Sequence, residues 1–181
     1  MKRKHLERLR RALDEGGLVR VERRLVGGDP TYAYVLGLSD TLLLLYAVHD
    51  LHLDGCRVYP LQGIMDAEDL VASVGIGEVP PLDDMDALLR HLRKRAAPCI
   101  VEQEPLEGGG DEARFLMGYV TRVGKKPCRV HHLDPLEGWE DEPQSVRVHD
   151  VTCVQLESPY VARWLRHGGP CPPLAPGSGA R

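Results

Sequence analysis

Thiol and imidazole side chains crowd one part of this chain. Cys128, His131 and His132 fall within five positions, and His149 and Cys153 follow. Zinc takes this nitrogen and sulfur set, and a closed structural site needs about four such ligands. Successive side chains of an extended strand leave by opposite faces. Cys128 and His132 then share one face and His131 takes the other, so only part of the set converges, and scattered core and surface residues are the favoured reading. His49, Asp50, His52 and Asp54 form a weaker set in a polar loop. No metal and no cofactor are expected.

Nucleophilic catalysis has as little to work with. Ser39 sits in Leu38-Ser39-Asp40, which lacks the Gly-x-Ser-x-Gly elbow, and no glycine-rich loop follows a strand and opens a helix. Gly108-Gly109-Gly110 reads as a hairpin linker, and the carboxylates of 137–142 as a solvated acidic loop. The five cysteines are an odd number with no Cys-x-x-Cys pair, which indicates reduced thiols, mostly in the core. The expectation is a protein that is not an enzyme.

The remaining candidate chemistry is electrostatic. Lys2, Arg3, Lys4, Arg8, Arg10 and Arg11 load the first helix with charge that could neutralise nucleic-acid phosphates, and such binding is steeply salt dependent. A solvated helix face explains the same charges. Phe115 is the only phenylalanine, and Tyr34 and Tyr119 occupy core positions, so a stacking platform for bases is missing.

The elements that must position these residues follow from periodicity. Residues 34–48 organise the chain: two consecutive strands joined at Ser39 and Asp40, the second apolar on both faces. Leu6, Leu9 and Leu13 mark a helix over 4–14, which Gly16 and Gly17 end. Strands follow over 18–26 and 32–38, with Gly27-Gly28-Asp29-Pro30 as the turn between them. Leucine favours helix, yet the length and neighbours of 41–48 favour a strand. A polar loop over 49–55 precedes a strand over 56–60, and 61–65 turns into another.

Acidic residues 66–82, with Gly75, Gly77, Pro80 and Pro81, read as a connector. Asp83 or Asp84 caps a second helix whose Met85, Leu88, Leu89 and Leu92 share a face, and Pro98 stops it. Strands are expected over 99–104, 113–123, 127–133, 145–149 and 152–156. Residues 105–112 form a glycine-rich loop, Gly124-Lys125-Lys126 a turn, and the segment around Trp139 an acidic loop. A short helix carrying Trp164 spans 159–167, and 168–181 form a disordered tail rich in glycine and proline.

The second half repeats the first. Setting Ala33 on Gly118, 85 positions on, also pairs Tyr34 with Tyr119, Val35 with Val120, Leu38 with Val123 and Leu45 with Val130. A further match sets Leu61 and Ile64 on Val148 and Val151. The order of helix, strands and turns repeats as well, which reads as a tandem duplication.

At 181 residues and 43% hydrophobic content the chain can bury a core, and a formal net charge of -4 argues against a wholly basic nucleic-acid binder. Its longest apolar run, 42–48, falls far short of the roughly 18 to 20 residues of a membrane helix. Charged residues follow Met1 where a secretory leader would be apolar. No membrane partner and a cytoplasmic location are expected.

A helix followed by five bent strands, with Gly37 in the second and Gly37-Leu38-Ser39-Asp40 at the turn after it, resembles the Sm-like small β-barrel. Leu53-Asp54-Gly55 before the fourth strand and Asp150-Val151-Thr152 opening the last are further marks. The chain also resembles bacterial proteins with two such barrels in tandem and no assigned activity. The resemblance implies a mostly β fold with short helices: two tandem five-stranded Sm-like barrels, each preceded by a helix. The first unit would span 1–66, a connector 67–82, the second unit 83–158, and a short helix and tail 159–181. Sm proteins that bind RNA use an asparagine three residues after the turn aspartate and an Arg-Gly pair before the last strand. Leu43, Gln62-Gly63 and His149-Asp150 stand at those places, so that pocket is not carried over. The expected function is a non-enzymatic binding or assembly module that acts through barrel edge strands, with a protein partner or a second copy. The alternative is RNA binding through the basic helix.

Overall fold

The computed structural model describes residues 2–24, 29–49, 52–73, 79–104, 113–125 and 127–173. The turn glycines Gly27 and Gly28, Asp50, the connector glycines Gly75 and Gly77, Gly108 to Gly110, Lys126 and the tail beyond 173 lie outside them.

Two helices open the two halves. The first, α1 (Arg3–Glu15), buries His5, Leu9 and Ala12 and ends at left-handed Gly16, whose N–H bonds Ala12 O. The second, α2 (Met85–Arg95), starts at Asp84, whose carboxylate accepts the Ala87 N–H at 2.7 Å. It buries Met85, Leu88, Leu89 and Leu92, and Arg93, Lys94 and Arg95 in its last turn complement the helix dipole. A third helix, α3 (Pro159–Gly168), is capped by Ser158 and agrees with the expected helix carrying Trp164.

The strands of the first half are β1 (Gly17–Arg23), β2 (Thr31–Leu38), β3 (Leu42–His49), β4 (His52–Pro60) and β5 (Ile64–Ser73). Those of the second are β6 (Pro98–Gln103), β7 (Arg114–Val123), β8 (Pro127–Asp134), the two-residue β9 (Gly138–Trp139), β10 (Gln144–Arg147) and β11 (Cys153–Leu156). A single 3-10 turn enters the last strand of each half, Leu61–Gly63 before β5 and Val148–Asp150 before β11. The acidic stretch read as connector is strand as far as Ser73. It lies at a sheet edge, where one side of the strand meets water and Asp66 and Glu68 are tolerated.

All these strands join in one antiparallel sheet, ordered β10-β8-β7-β6-β11-β4-β3-β2-β1-β5, with β9 added to β8. The sheet runs open from β10 to β5 among the described residues. Each half contributes its fifth, first, second, third and fourth principal strands in that order. The 85-residue offset recurs as register: Tyr34 opposes Tyr46 as Tyr119 opposes His131, and Val35 opposes Leu45 as Val120 opposes Val130. Even the bulge repeats, between Val35 and Gly37 and between Val120 and Arg122.

Strand β3 shows why the halves adhere. Leu43 and Leu45 face a core made by α1 and the first half, with Val19, Val21, Val35 and Tyr59. Leu42 and Leu44 face a second core that contains Leu88 and Leu89 of α2 and Val101, Val130 and Val154 of the second half. A strand buried on both faces needs apolar residues at consecutive positions, and residues 42–45 supply them. A smaller core sets Val161 of α3 on Ile100, Met117 and Leu133.

Equivalent positions are not interchangeable. Gly118 has φ +151, and a Cβ there would lie 2.0 Å from the His131 carbonyl oxygen, whereas its equivalent is Ala33. Gly118→Ala is expected to cost about 2 kcal/mol or more and to lower the melting temperature by several degrees in a thermal melt.

Candidate functional site

The two halves meet where β4 pairs with β11, in the register Val58↔Val154, Arg57↔Gln155 and Cys56↔Leu156. Gly55, at φ +83, lets the chains approach: a Cβ there would lie 2.8 Å from Leu156 O and 2.9 Å from Ser158 Cα.

A polar network accompanies this joint. Arg23 grips Glu104 with both Nη atoms, Nη2 donating to Oε1 at 2.9 Å, and its guanidinium carbon lies 4.2 Å from the centre of the Tyr59 ring. Thr152 donates to Glu104 Oε2 at 2.9 Å and in turn accepts the Glu104 N–H at 3.0 Å. Gln155 donates to Glu102, Arg57 to Asp54 at 2.8 Å, and the Tyr59 and Thr31 hydroxyls share a bond of 3.3 Å. Burial pushes the Tyr59 hydroxyl up to about 12, Arg23 and Arg57 only partly opposing it. Burial likewise raises Glu102 and takes Cys153 well above the ordinary thiol range. Of these contacts the Arg23–Glu104 pair crosses from the first half to the second, and the others brace each half beside it.

The outer edges are the complementary surfaces. In an antiparallel ladder a residue turns its N–H and C=O to one side and its neighbour turns them to the other. Arg24 gives its N–H to Gly63 O at 2.8 Å, so Glu22, Arg20 and Leu18 turn toward β5, and their partners Asp66, Glu68 and Leu70 turn back. Ala67, between them, turns outward. There its N–H goes to Asp66 Oδ1 at 2.8 Å and its C=O accepts from Arg8 Nη1 at 2.9 Å. The same alternation turns Val154 and Val58 toward each other across the joint, and turns Ser145, the equivalent of Val58 on β10, outward. The Ser145 carbonyl accepts from Arg114 Nη1 at 2.8 Å.

A cleft of about 270 Å³ opens beside the joint, where the turn after β2 meets both 3-10 turns and the start of α2. Asp40, Thr41, Gln62 and His149 contribute polar groups, and Leu42, Leu61, Met85 and Val151 apolar ones. The structure thus brings together Asp40, Gln62 and His149 from segments the sequence singled out separately.

The metal readings do not converge. His131 is buried, with Nε2 2.8 Å from Glu140 O and Nδ1 3.4 Å from Cys171 Sγ. His132 Nδ1 faces the Met117 backbone, Cys128 and Cys153 lie in different cores, and exposed His149 pairs with Asp150 at 3.0 Å. Asp54 of the other set is taken by Arg57, and Asp50 lies outside the described residues. Among the described residues no group of three or more His, Cys, Asp or Glu is placed to hold a metal.

The basic helix is divided. Lys2, Arg3, Lys4, Arg10 and Arg11 are exposed, Arg3 bonding Glu7 at 2.8 Å, and Arg8 is committed to the β5 edge, 3.9 Å from Asp66. Sequence reasoning missed the roles of Arg23 and Arg114, and it missed a row of rings: Phe115 meets Tyr160, Tyr160 meets Trp164 and Trp164 meets His167, with centroids 6.3, 6.1 and 5.9 Å apart. Spacing along α3 gives Tyr160 and Trp164 a common face, but nothing in the sequence brings Phe115 there. Among the described residues no helix is long and apolar enough to cross a membrane. No protein-family model, no curated protein and no solved structure matches the chain.

Two measurements check the site. Burial raises Cys99 to about 12 and Cys128 to about 11, so in native protein exposed Cys171 is expected to react first with a thiol reagent, the buried thiols following only on unfolding. Glu102 lies above its ordinary value of 4.5 through burial. The fold therefore favours its protonated form, a contribution whole below the ordinary pKa and lost as pH climbs through the raised one. Glu102→Gln keeps the acceptor for Gln155 and is expected to raise the melting temperature near pH 7, with little difference near pH 4.

Proposed function

We propose that the chain is two Sm-like units in tandem, a non-enzymatic, cytoplasmic binding and assembly module that takes its partner by strand addition at a sheet edge. The observation that supports this reading is the β4·β11 joint: the fourth strand of one unit accepts the fifth strand of the other. The equivalent edges, on β5 and β10, have no strand partner among the described residues. An edge with outward N–H and C=O groups gives affinity through the main chain, and flanking side chains give specificity. RNA binding through the first helix is the alternative, with Lys2, Arg3, Lys4, Arg10 and Arg11 as its exposed charges.

Proline at an outward position removes a donor from the edge and leaves the ladder to the neighbouring strand intact. Tagged Ser145→Pro is expected to keep its circular dichroism spectrum and to lose the protein captured by the parent chain from host lysate at moderate salt, with or without ribonuclease. Capture that survives this substitution, or that falls with Lys4→Glu and Arg10→Glu and with ribonuclease, overturns edge pairing in favour of the charged helix.

A further inference from the structure

We infer that Arg8 with Asp66, and Arg114, are stops that hold the two outer sheet edges closed to a second copy of this chain. The inference rests on the edge-pairing reading above and adds its control.

The register fixes which groups a second copy would need. At the joint Val58 lies opposite Val154. Val58 pairs inward with Leu44, as Ser145 pairs inward with Arg129, and Leu44 and Arg129 are equivalent residues. Val154 pairs inward with Val101, as Ala67 pairs inward with Val21, and these are again equivalent. A copy that extended the sheet by the rule already used inside the chain would set Ser145 of one molecule opposite Ala67 of the next. Because β10 and β5 are different surfaces, the contact would be head to tail and self-propagating.

That pairing needs the N–H and C=O of Ala67 and of Ser145, and three of these four groups already have side-chain partners. Asp66 Oδ1 takes the Ala67 N–H, Arg8 Nη1 donates to the Ala67 C=O, and Arg114 Nη1 donates to the Ser145 C=O. Across the joint, by contrast, Cys153 stands at the position equivalent to Asp66, and Val58 and Val154 face each other directly. Two arginines from unrelated places, one on α1 and one at the start of β7, thus reach the carbonyls of the two residues that would meet. Bonds from a charged donor are the stronger kind, and an incoming strand has to break them before its own ladder forms.

The test is the mass in solution. Arg8→Met and Arg114→Met keep much of each stem and remove the donors. Sedimentation over rising concentration is expected to give the mass of one copy for the parent chain. For the double variant it is expected to give a mass that rises with concentration, each stop weakening association about tenfold. Adding Ser145→Pro to the double variant is expected to return it to one copy. Circular dichroism checks the fold; should Arg8→Met unfold the chain, exposed Arg114→Met serves instead, expected to bind a peptide of residues 64–73 that the parent refuses. A folded double variant that stays at one copy overturns the inference, as do association of the parent chain, association of the triple variant, and refusal of the peptide by Arg114→Met. Edge pairing itself fails separately, if Ser145→Pro leaves partner capture unchanged.

Discussion

The pairing of β4 with β11 is the constraint on which the rest depends. It turns two five-strand arrangements into one sheet, and it puts Leu42, Leu44 and Val58 of the first half into the same core as Leu88, Val101 and Val154 of the second. Burial of apolar area drives this, but area alone does not choose a register. Choice comes from the backbone at Gly55, which admits Leu156 and Ser158 only because it lacks a side chain, and from the polar groups beside it.

Those groups are costly and specific at once. Charges taken from water are stabilising only when partnered and hydrogen-bonded, and here the partners come from both halves: Arg23 from the first, Glu104 and Thr152 from the second. The Nε atoms of Arg23 and Arg57 are buried without a partner, so the network is not fully satisfied and an apolar joint of the same shape would hold as well or better. What the ions add is discrimination: a slip of one residue would leave Arg23 facing a strand without its carboxylate.

Legibility in the sequence followed the distance over which each feature is decided. The repeat was readable because the turn joining the second and third strands of each half has one length, so Tyr34 and Tyr119 keep step through two strands. The doubly buried strand was readable from four consecutive leucines. The joint was not, because β4 and β11 are far apart and pair through main-chain groups that every residue carries. Residues 66–73 misled for a related reason: acidic side chains signal a loop unless an edge strand is known to lie there. In the sequence Arg8 is one charge among six on a helix, and only the tertiary placement of α1 against β5 singles it out.

The repeat also shows where equivalent positions differ. Ala33 and Gly118 oppose Ala47 and His132 in one register, yet only the second leaves no room for a methyl group. Val58 meets a strand where Ser145 meets an arginine, and Val154 meets a strand where Ala67 meets Asp66 and Arg8. In the last two pairs the register is common and the side chains decide whether the edge continues or stops. A protein made from two like units must solve this problem, since the surface that joins the first to the second is presented again at both ends. Edges left as they stand would propagate. Here the difference between a joint and an end lies in a few side chains, which leaves the fold unchanged and sets how many copies of it come together.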